Sequence, residues 1–217
     1  MEKLINGIVQ FQQEPFKSRE ALFAELANGQ SPEVLFITCA DSRIDPNLVT
    51  QSEPGELFIC RNAGNIVPPH AKVAGGVTAS IEYAVAVLGV KHIIVCGHTD
   101  CGAMKGALNP QGLQELPHVH NWLNHSKAAV EVVKAKCGRT TVEELLMMTE
   151  ENVLLQLQHL RTHPTVAVRL ANDEVSLHGW VYHIENGMVS CYDESQQSFV
   201  PVQDRYASLL DNEPAAA

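Results

Sequence analysis

Nothing in the 217 residues approaches the roughly 20 consecutive apolar residues that span a bilayer. The opening segment, MEKLINGIVQFQQEPF, interleaves polar and apolar residues and lacks the apolar stretch of a secretory leader, so a cytoplasmic location is the expectation. Basic residues are scarce: 15 Lys and Arg stand against 25 Asp and Glu, a formal net charge of −10. That balance argues against sequence-independent nucleic-acid binding and against docking on an anionic membrane, both of which draw on clustered positive charge. A small anion is not excluded, because it feels the local field of its pocket. Six cysteines are too few for a disulfide framework in a chain of this length, and no Cys-x-x-Cys pair offers a thiol redox centre. Internal repeats, low-complexity tracts and linkers are also lacking.

What is present reads as one α/β unit. Residues 1–29 have helical periodicity, with one apolar stripe at Leu4, Ile5, Ile8, Val9 and Phe11 and a second at Leu22, Phe23 and Leu26. Three short apolar runs read as strands: Val34–Ile37 as a buried one, then Leu57–Cys60 and Ile93–Cys96 as a second and a third. Each ends in a polar cluster. Between the second and third, Val77 to Leu88 is apolar nearly all round and is expected to be a helix buried on most sides. Thr141-Val142-Glu143-Glu144 fits a capping box for a helix running to about Leu160. Val175 to Ile184, Asn186-Gly187 and Met188 to Tyr192 read as a β-hairpin. Strands alternating with helices predict a mainly parallel sheet flanked by helices, with an N-terminal helical arm and a C-terminal hairpin. In such sheets polar sites gather beyond the carboxyl ends of the strands, where all three clusters fall.

Two clusters carry metal-binding chemistry. One is Cys39-Ala40-Asp41-Ser42-Arg43; the other is His98-Thr99-Asp100-Cys101. Two thiolates and one imidazole suit zinc, with one tetrahedral position left over. The two-residue gap between His98 and Cys101 lets both reach one ion from a single turn. Taken alone, a Cys at a strand end reads as packing; two such clusters, each closing an apolar strand beside Gly or Asp, favour the metal. Cys60, Cys96, Cys137 and Cys191 lack such company and read as packing. Asp41 and Arg43, two apart in an extended segment, can pair. That pair is either a plain structural contact or a device in which Arg43 decides whether Asp41 ligates the metal or orients its water. His118, His120 and His125, near Trp122, read as surface residues rather than as a second metal site.

With these motifs the chain resembles the β-class carbonic anhydrases. The likeness rests on Cys39-x-Asp41-Ser42-Arg43, Arg61-Asn62-Ala63-Gly64-Asn65, Ala79-Ser80-Ile81-Glu82-Tyr83-Ala84 and Gly97-His98-x-x-Cys101-Gly102. It extends to His178-Gly179-Trp180 and Phe199-Val200-Pro201, so it covers nearly the whole chain. It is strongest to the bacterial cytosolic branch, which includes the carbonic anhydrase of cyanate operons. The resemblance implies a single domain over 1–217, with 1–29 as an arm at the interface of a homodimer or higher assembly of dimers. It implies reversible hydration of CO2 to bicarbonate with one Zn2+ per chain. Hydrolysis of carbonyl sulfide or carbon disulfide is the alternative activity, and a non-catalytic zinc-stabilised module the alternative class.

Residue by residue, the resemblance makes Cys39, His98 and Cys101 zinc ligands. Asp41 becomes either the fourth ligand or the partner of Arg43. Gln30 becomes an amide donor to bicarbonate, reaching in from a neighbouring subunit, and Phe58, Ala63, Tyr83 and Gly102 belong to the substrate pocket. Without the resemblance, Phe58 and Ala63 read as core and Tyr83 as a helix-face aromatic. Phe36 stands where one subgroup carries a Trp of a regulatory bicarbonate site, and Val87 stands where plant-type members carry a His. Neither feature is therefore expected here. Two thiolates would cancel the charge of the ion, so activity is expected to rise on the alkaline side of neutrality.

Overall fold

The computed structural model describes residues 1–72, 75–137 and 142–210. The chain forms two compact units, Met1–Ser31 and the remainder from Pro32 onward. The first holds three helices, α1 (Glu2–Gln13), α2 (Pro15–Ser18) and α3 (Glu20–Leu26). The break after Gln13 has a plain cause: Pro15 has no amide hydrogen to continue the preceding helix, and it opens the next one instead. Phe11, Phe16 and Phe23 bring the three helices together, with ring centroids 5.0–6.1 Å apart. The α1 stripe is left open: Leu4, Ile5, Ile8 and Val9 are 44–64% exposed in the single chain.

The second unit is built on a six-stranded sheet in the order β2-β1-β3-β4-β5-β6. Its strands are β1 (Val34–Cys39), β2 (Leu57–Asn62), β3 (His92–His98), β4 (Ser176–Tyr182), β5 (Val189–Asp193) and β6 (Ser198–Pro201). β2, β1, β3 and β4 run parallel, while β5 and β6 are antiparallel additions at one edge. The three expected strands and the hairpin are all found. β6 was not anticipated, and it pairs with β5 from Ser190↔Pro201 to Asp193↔Ser198. The strands run further than their apolar runs because their polar ends, Thr38-Cys39 and Gly97-His98, still pair in the ladder.

Helices α4 (Gly76–Glu82), α5 (Gly102–Leu108), α6 (Lys127–Cys137), α7 (Val142–Arg161) and α8 (Pro164–Ala171) accompany the sheet. On one face Leu35, Ile37, Ile93, Val95 and Val181 pack with Ile81, Val85, Val153 and Val166 from helices. On the other, Phe36, Ile44, Ile94 and Cys96 pack with Trp180 and Tyr182. α7 lies close over β3 and β4. A Cβ at Gly97 would stand 2.8 Å from Thr149 Cγ2, so only glycine lets helix and strand approach this far. α7 is found where its capping box placed it, although the expected capping residue, Thr141, lies outside the described residues.

The segment from Val77 to Leu88 departs from expectation. It is α4 followed by a π-helical turn, Tyr83–Leu88. Ile81, Ala84 and Val85 are buried, but Tyr83 is 45% and Val87 65% exposed. An apolar sequence all round does not create a second surface to bury against, and within one chain only one face of this helix meets the sheet.

α7 also carries a polar row aimed at the loop after β2. Asn152 Nδ2 donates to the Gly64 carbonyl at 3.1 Å, and Asn152 Oδ1 accepts from Ser126 Oγ and Gln156 Nε2 at 2.7 and 2.8 Å. Gln156 Oε1 accepts from the Val67 amide at 2.9 Å, and His159 Nδ1 donates to the Val67 carbonyl at 2.7 Å. All of Ser126, Asn152 and Gln156 are buried, so leaving any one of these groups unpaired would cost about 1–3 kcal/mol.

At the far end of the sheet His178 on β4 sits between Tyr206 and His92. Its Nδ1 is 3.0 Å from the Tyr206 hydroxyl and its Nε2 is 3.3 Å from His92 Nδ1. Burial, with His92 and Arg205 adding to it, lowers the His178 pKa from 6.5 to about 4. Between those values the unfolded chain binds a proton that the folded chain refuses, so acid favours unfolding in that window. Conformational stability is therefore expected to fall as pH drops from about 6.5 to 4, and His178→Gln should flatten that dependence, measured as urea midpoints at a series of pH values.

Candidate metal centre

The strand order places β1 at the point where the chain leaves in opposite directions, β2 to one side and β3 to the other. Such a switch point opens a crevice at the carboxyl ends of the strands. Cys39 ends β1, His98 ends β3, and Cys101 caps α5 directly beyond. The ligand atoms of these three residues all lie within 4.8 Å of one another, and all three residues are buried. They form the one such cluster of metal-ligating side chains among the described residues. His118 and His120 are exposed and His125 is half-buried, in keeping with their surface reading.

The donor set fits zinc on two observations. Sulfurs each about 2.3 Å from a tetrahedral ion stand ~3.8 Å apart, and Cys39 Sγ and Cys101 Sγ are separated by 4.0 Å. His98 Nδ1 donates to the Thr99 carbonyl at 2.8 Å, which fixes the tautomer and leaves the Nε2 lone pair facing the sulfurs. That Nε2 is buried and has no hydrogen-bond partner. A buried polar atom without a partner is the exception in folded proteins, and a cation satisfies it. Cys39, Cys101 and Met104, with Val130, Val133 and Met148, form an apolar floor beneath the cluster.

The two thiols are arranged to ionise unequally. The hydrogen bond from Cys101 draws the Cys39 pKa down, helped by His98 and by the backbone amide of Gly64, 3.4 Å from Cys39 Sγ. The same contact and burial push Cys101 upward. One negative charge is easily held and the second is resisted, which is the state a divalent ion would relieve.

Asp41 and Arg43 stand at the rim. Arg43 Nε donates to Asp41 Oδ1 at 2.9 Å and Nη2 to Oδ2 at 2.8 Å, a two-pronged pair. The Arg43 side chain is the main reason that Asp41 is held well below the usual carboxylate range. Asp41 Oδ2 is also 3.7 Å from His98 Nε2, so its carboxylate faces both Arg43 and the ligand cluster.

The loop after β2 brings Ala63 and Gly64 alongside. Gly64 has φ +86° and a Cβ there would stand 2.9 Å from Met104 Cε, so glycine is required for the amide to reach the sulfur. The Ala63 carbonyl accepts from Trp122 Nε1 at 2.8 Å. Gly102 is exposed, with open space on its Cβ side. Phe58 and Tyr83 are placed elsewhere. Their rings lie 6.0 Å apart, but Phe58 pairs with Leu35, four positions before Cys39 on β1. Gln30 is an exposed residue of the Met1–Ser31 unit.

Three contributors to the site were not given roles by sequence. Arg61 donates to the carbonyls of Cys39, Asp41 and Ile44 at 2.7–3.0 Å and so ties down the loop that carries Asp41 and Arg43. Its signal was an Arg closing an apolar strand. Asn152 supports Gly64; its signal was the polar row Thr149, Asn152 and Gln156 on one helix face. Asp100 accepts from Arg43 and from Lys105, and its φ of +58° marks it as a shaped turn.

Comparisons with known proteins point to one family. The family model described as "Carbonic anhydrase" matches residues 34–189. A carbonic anhydrase of Pseudomonas aeruginosa is 47% identical over 204 residues, covering 94% of this chain and 93% of that one. The solved structure of the β-carbonic anhydrase CcaA is 46% identical, with TM-score 0.90, over 93% of this chain and 98% of that one. A structure from a study of two tetrameric β-carbonic anhydrases of Sordaria macrospora is 31% identical with TM-score 0.69, over 88% and 92%. With the parallel sheet, the switch-point crevice and its two-sulfur, one-imidazole cluster, these matches place the chain in the β-class carbonic anhydrase family, enzymes that hydrate CO2.

Proposed function

We propose that this chain interconverts CO2 and bicarbonate at the Cys39, His98 and Cys101 cluster, with one Zn2+ held there. The observation that carries this reading is the buried His98 Nε2, unpartnered and facing two sulfurs. A zinc ion so held supplies Lewis acidity, making a solvent-derived nucleophile available near neutral pH. The protein's own side chains do the rest. Cys39 and Cys101 lose their protons to bind the cation, and Gly64 N–H steadies the Cys39 sulfur.

Asp41 is the acceptor at the rim. Its carboxylate remains ionised because Arg43 donates to both oxygens, and an ionised acceptor there orients a solvent O–H. The same two hydrogen bonds keep Asp41 from the fourth ligand position, which its Oδ2 could otherwise reach. Ala63 and Gly102 border the place where CO2 arrives.

The remaining substrate contacts belong to an assembly. Gln30, as an amide donor to bicarbonate, and the Phe58–Tyr83 pair, as an apolar wall, serve across a subunit contact in a homodimer. Two features support this. The α1 stripe is uncovered in the single chain, and so are Tyr83 and Val87. Phe58 also lies four register positions from its own Cys39, about 13 Å along a strand. Assembly as dimers or larger sets of dimers is in keeping with the tetrameric relatives. A cytoplasmic setting fits free thiols and the acidic composition; no helix among the described residues is long and apolar enough to cross a membrane.

Zinc content per purified chain and a stopped-flow CO2 hydration trace test the whole reading. One zinc per chain with rapid hydration is expected; folded protein without zinc, or with zinc and no hydration, would overturn it. Cys101→Ala should lose the metal. Arg43→Ala should keep its zinc yet lose CO2 hydration by about 10–100-fold, and near-normal rates would refute the role given to the pair. Light scattering at micromolar concentration should return a dimer or a multiple of it, and a monomer would contradict the assembly.

A further inference from the structure

Arg43 is gripped on two sides, and only one of them is Asp41. Its Nη1 donates to Asp100 Oδ2 at 2.9 Å, and its Nη2 also donates to the Asp100 backbone carbonyl at 3.1 Å. These contacts do not compete with Asp41 for geometry. The Nε–Nη2 edge faces Asp41, and the far edge faces Asp100, so the planar guanidinium lies between two acceptors. Lys105, on the first turns of α5, pairs with the other Asp100 oxygen. The backbone is shaped for the purpose, since Asp100 has φ +58°. Asp is among the few residues besides glycine that adopt this conformation readily.

We propose that Asp100, backed by Lys105, is a positioning residue that holds Arg43 in register for Asp41. A long side chain 42% exposed to solvent has many rotamers. Fixing the far edge of the guanidinium removes most of them, so that the fork toward Asp41 is formed in advance. Lys105 keeps the Asp100 carboxylate from swinging away and offsets its charge, so that it anchors Arg43 without drawing it off Asp41. Through this chain Asp100 keeps Asp41 at the rim and away from the ligand cluster. The inference rests on the reading of Asp41 and Arg43 given above.

Asp100→Gly tests it, because glycine keeps the positive φ and removes only the carboxylate. Two readouts are needed. Solvent exchange of the Arg43 Nε–H, followed by nitrogen-resolved NMR and assigned with Arg43→Lys, reports the grip on the guanidinium whether or not the protein is active. Stopped-flow CO2 hydration reports the consequence. Asp100→Gly is expected to speed Arg43 Nε–H exchange and lower kcat/KM, each by about tenfold, at unchanged zinc content. Asp100→Asn, which keeps one oxygen acceptor, should recover part of both losses. Lys105→Met should give a smaller loss of about threefold in the same direction.

Wild-type exchange and kcat/KM in Asp100→Gly would overturn the proposal. So would a loss of activity with Arg43 exchange unchanged, since Asp100 would then act by another route. If the wild-type protein proved not to hydrate CO2, the functional reading would fail, while the exchange measurement would still decide whether Asp100 grips Arg43.

Discussion

An imidazole nitrogen buried between two sulfurs, with no hydrogen donor or acceptor to meet it, is a cost that a folded chain does not ordinarily carry. At His98 the cost is local and specific. One ring nitrogen is committed to the Thr99 carbonyl, so the other cannot be rescued by a tautomeric change. A cation is the group that fits, and the two sulfurs 4.0 Å apart set the size and softness of that cation. The surrounding architecture can be understood as what is needed to hold this cluster together: parallel strands that bring two carboxyl ends side by side, and a tight turn that returns Cys101 to the same point.

The rim of the site is made of loops, and loops are held by whatever donates to their backbone. Here the holders are polar side chains from well-packed elements. Arg61 crosses from β2 to three carbonyls of the Cys39–Ile44 segment. Asn152 and Gln156 reach from α7 to Gly64 and Val67. Asn152 and Gln156 are buried, where a missing partner is expensive, and the exposed Arg61 holds its segment through three separate hydrogen bonds, so the loops have little freedom to drift. Arg43 also lies at the surface, and it depends on having two carboxylates rather than on burial. Two sulfurs and a carboxylate therefore gather around the same imidazole, the sulfurs within 4.8 Å of its ligand nitrogen and Asp41 Oδ2 3.7 Å from Nε2.

Apolar surface is left open in the single chain within each of the two units. α1 has an uncovered stripe within Met1–Ser31, and Tyr83 and Val87 lie uncovered in the unit that follows. A helix of α1's length has no means of burying its stripe alone, because helical stability in water comes mainly from packing an apolar face. In the assembly proposed above, a second copy would cover both, and it would account for Phe58 and Tyr83 lying against each other, ring centroids 6.0 Å apart, away from their own Cys39.

Much of this protein could be read from its sequence. Val34–Ile37, Leu57–Cys60 and Ile93–Cys96 are apolar runs too short for helices and too apolar for loops, so they determine three strands, of which β2, at the sheet edge, is only half-buried. The polar clusters that close them follow from the rule that strand ends face solvent or ligand. Cys39, His98 and Cys101 stood out because soft donors rarely gather beside Gly and Asp without a use. Periodicity could not show that Val77–Leu88 has an exposed face, since apolarity says what a residue prefers and not what is available to cover it. Nor could it reveal β6, which is stabilised by pairing with β5. Asp100 and Asn152 were invisible for a related reason: a hydrogen bond 57 or 88 residues long in sequence is set by where the chain has already been folded. Local preference thus decided the strands, most helices and the donor chemistry; which edge of Arg43 meets which carboxylate was decided only by the tertiary structure, because direction and distance exist only once the strands are paired.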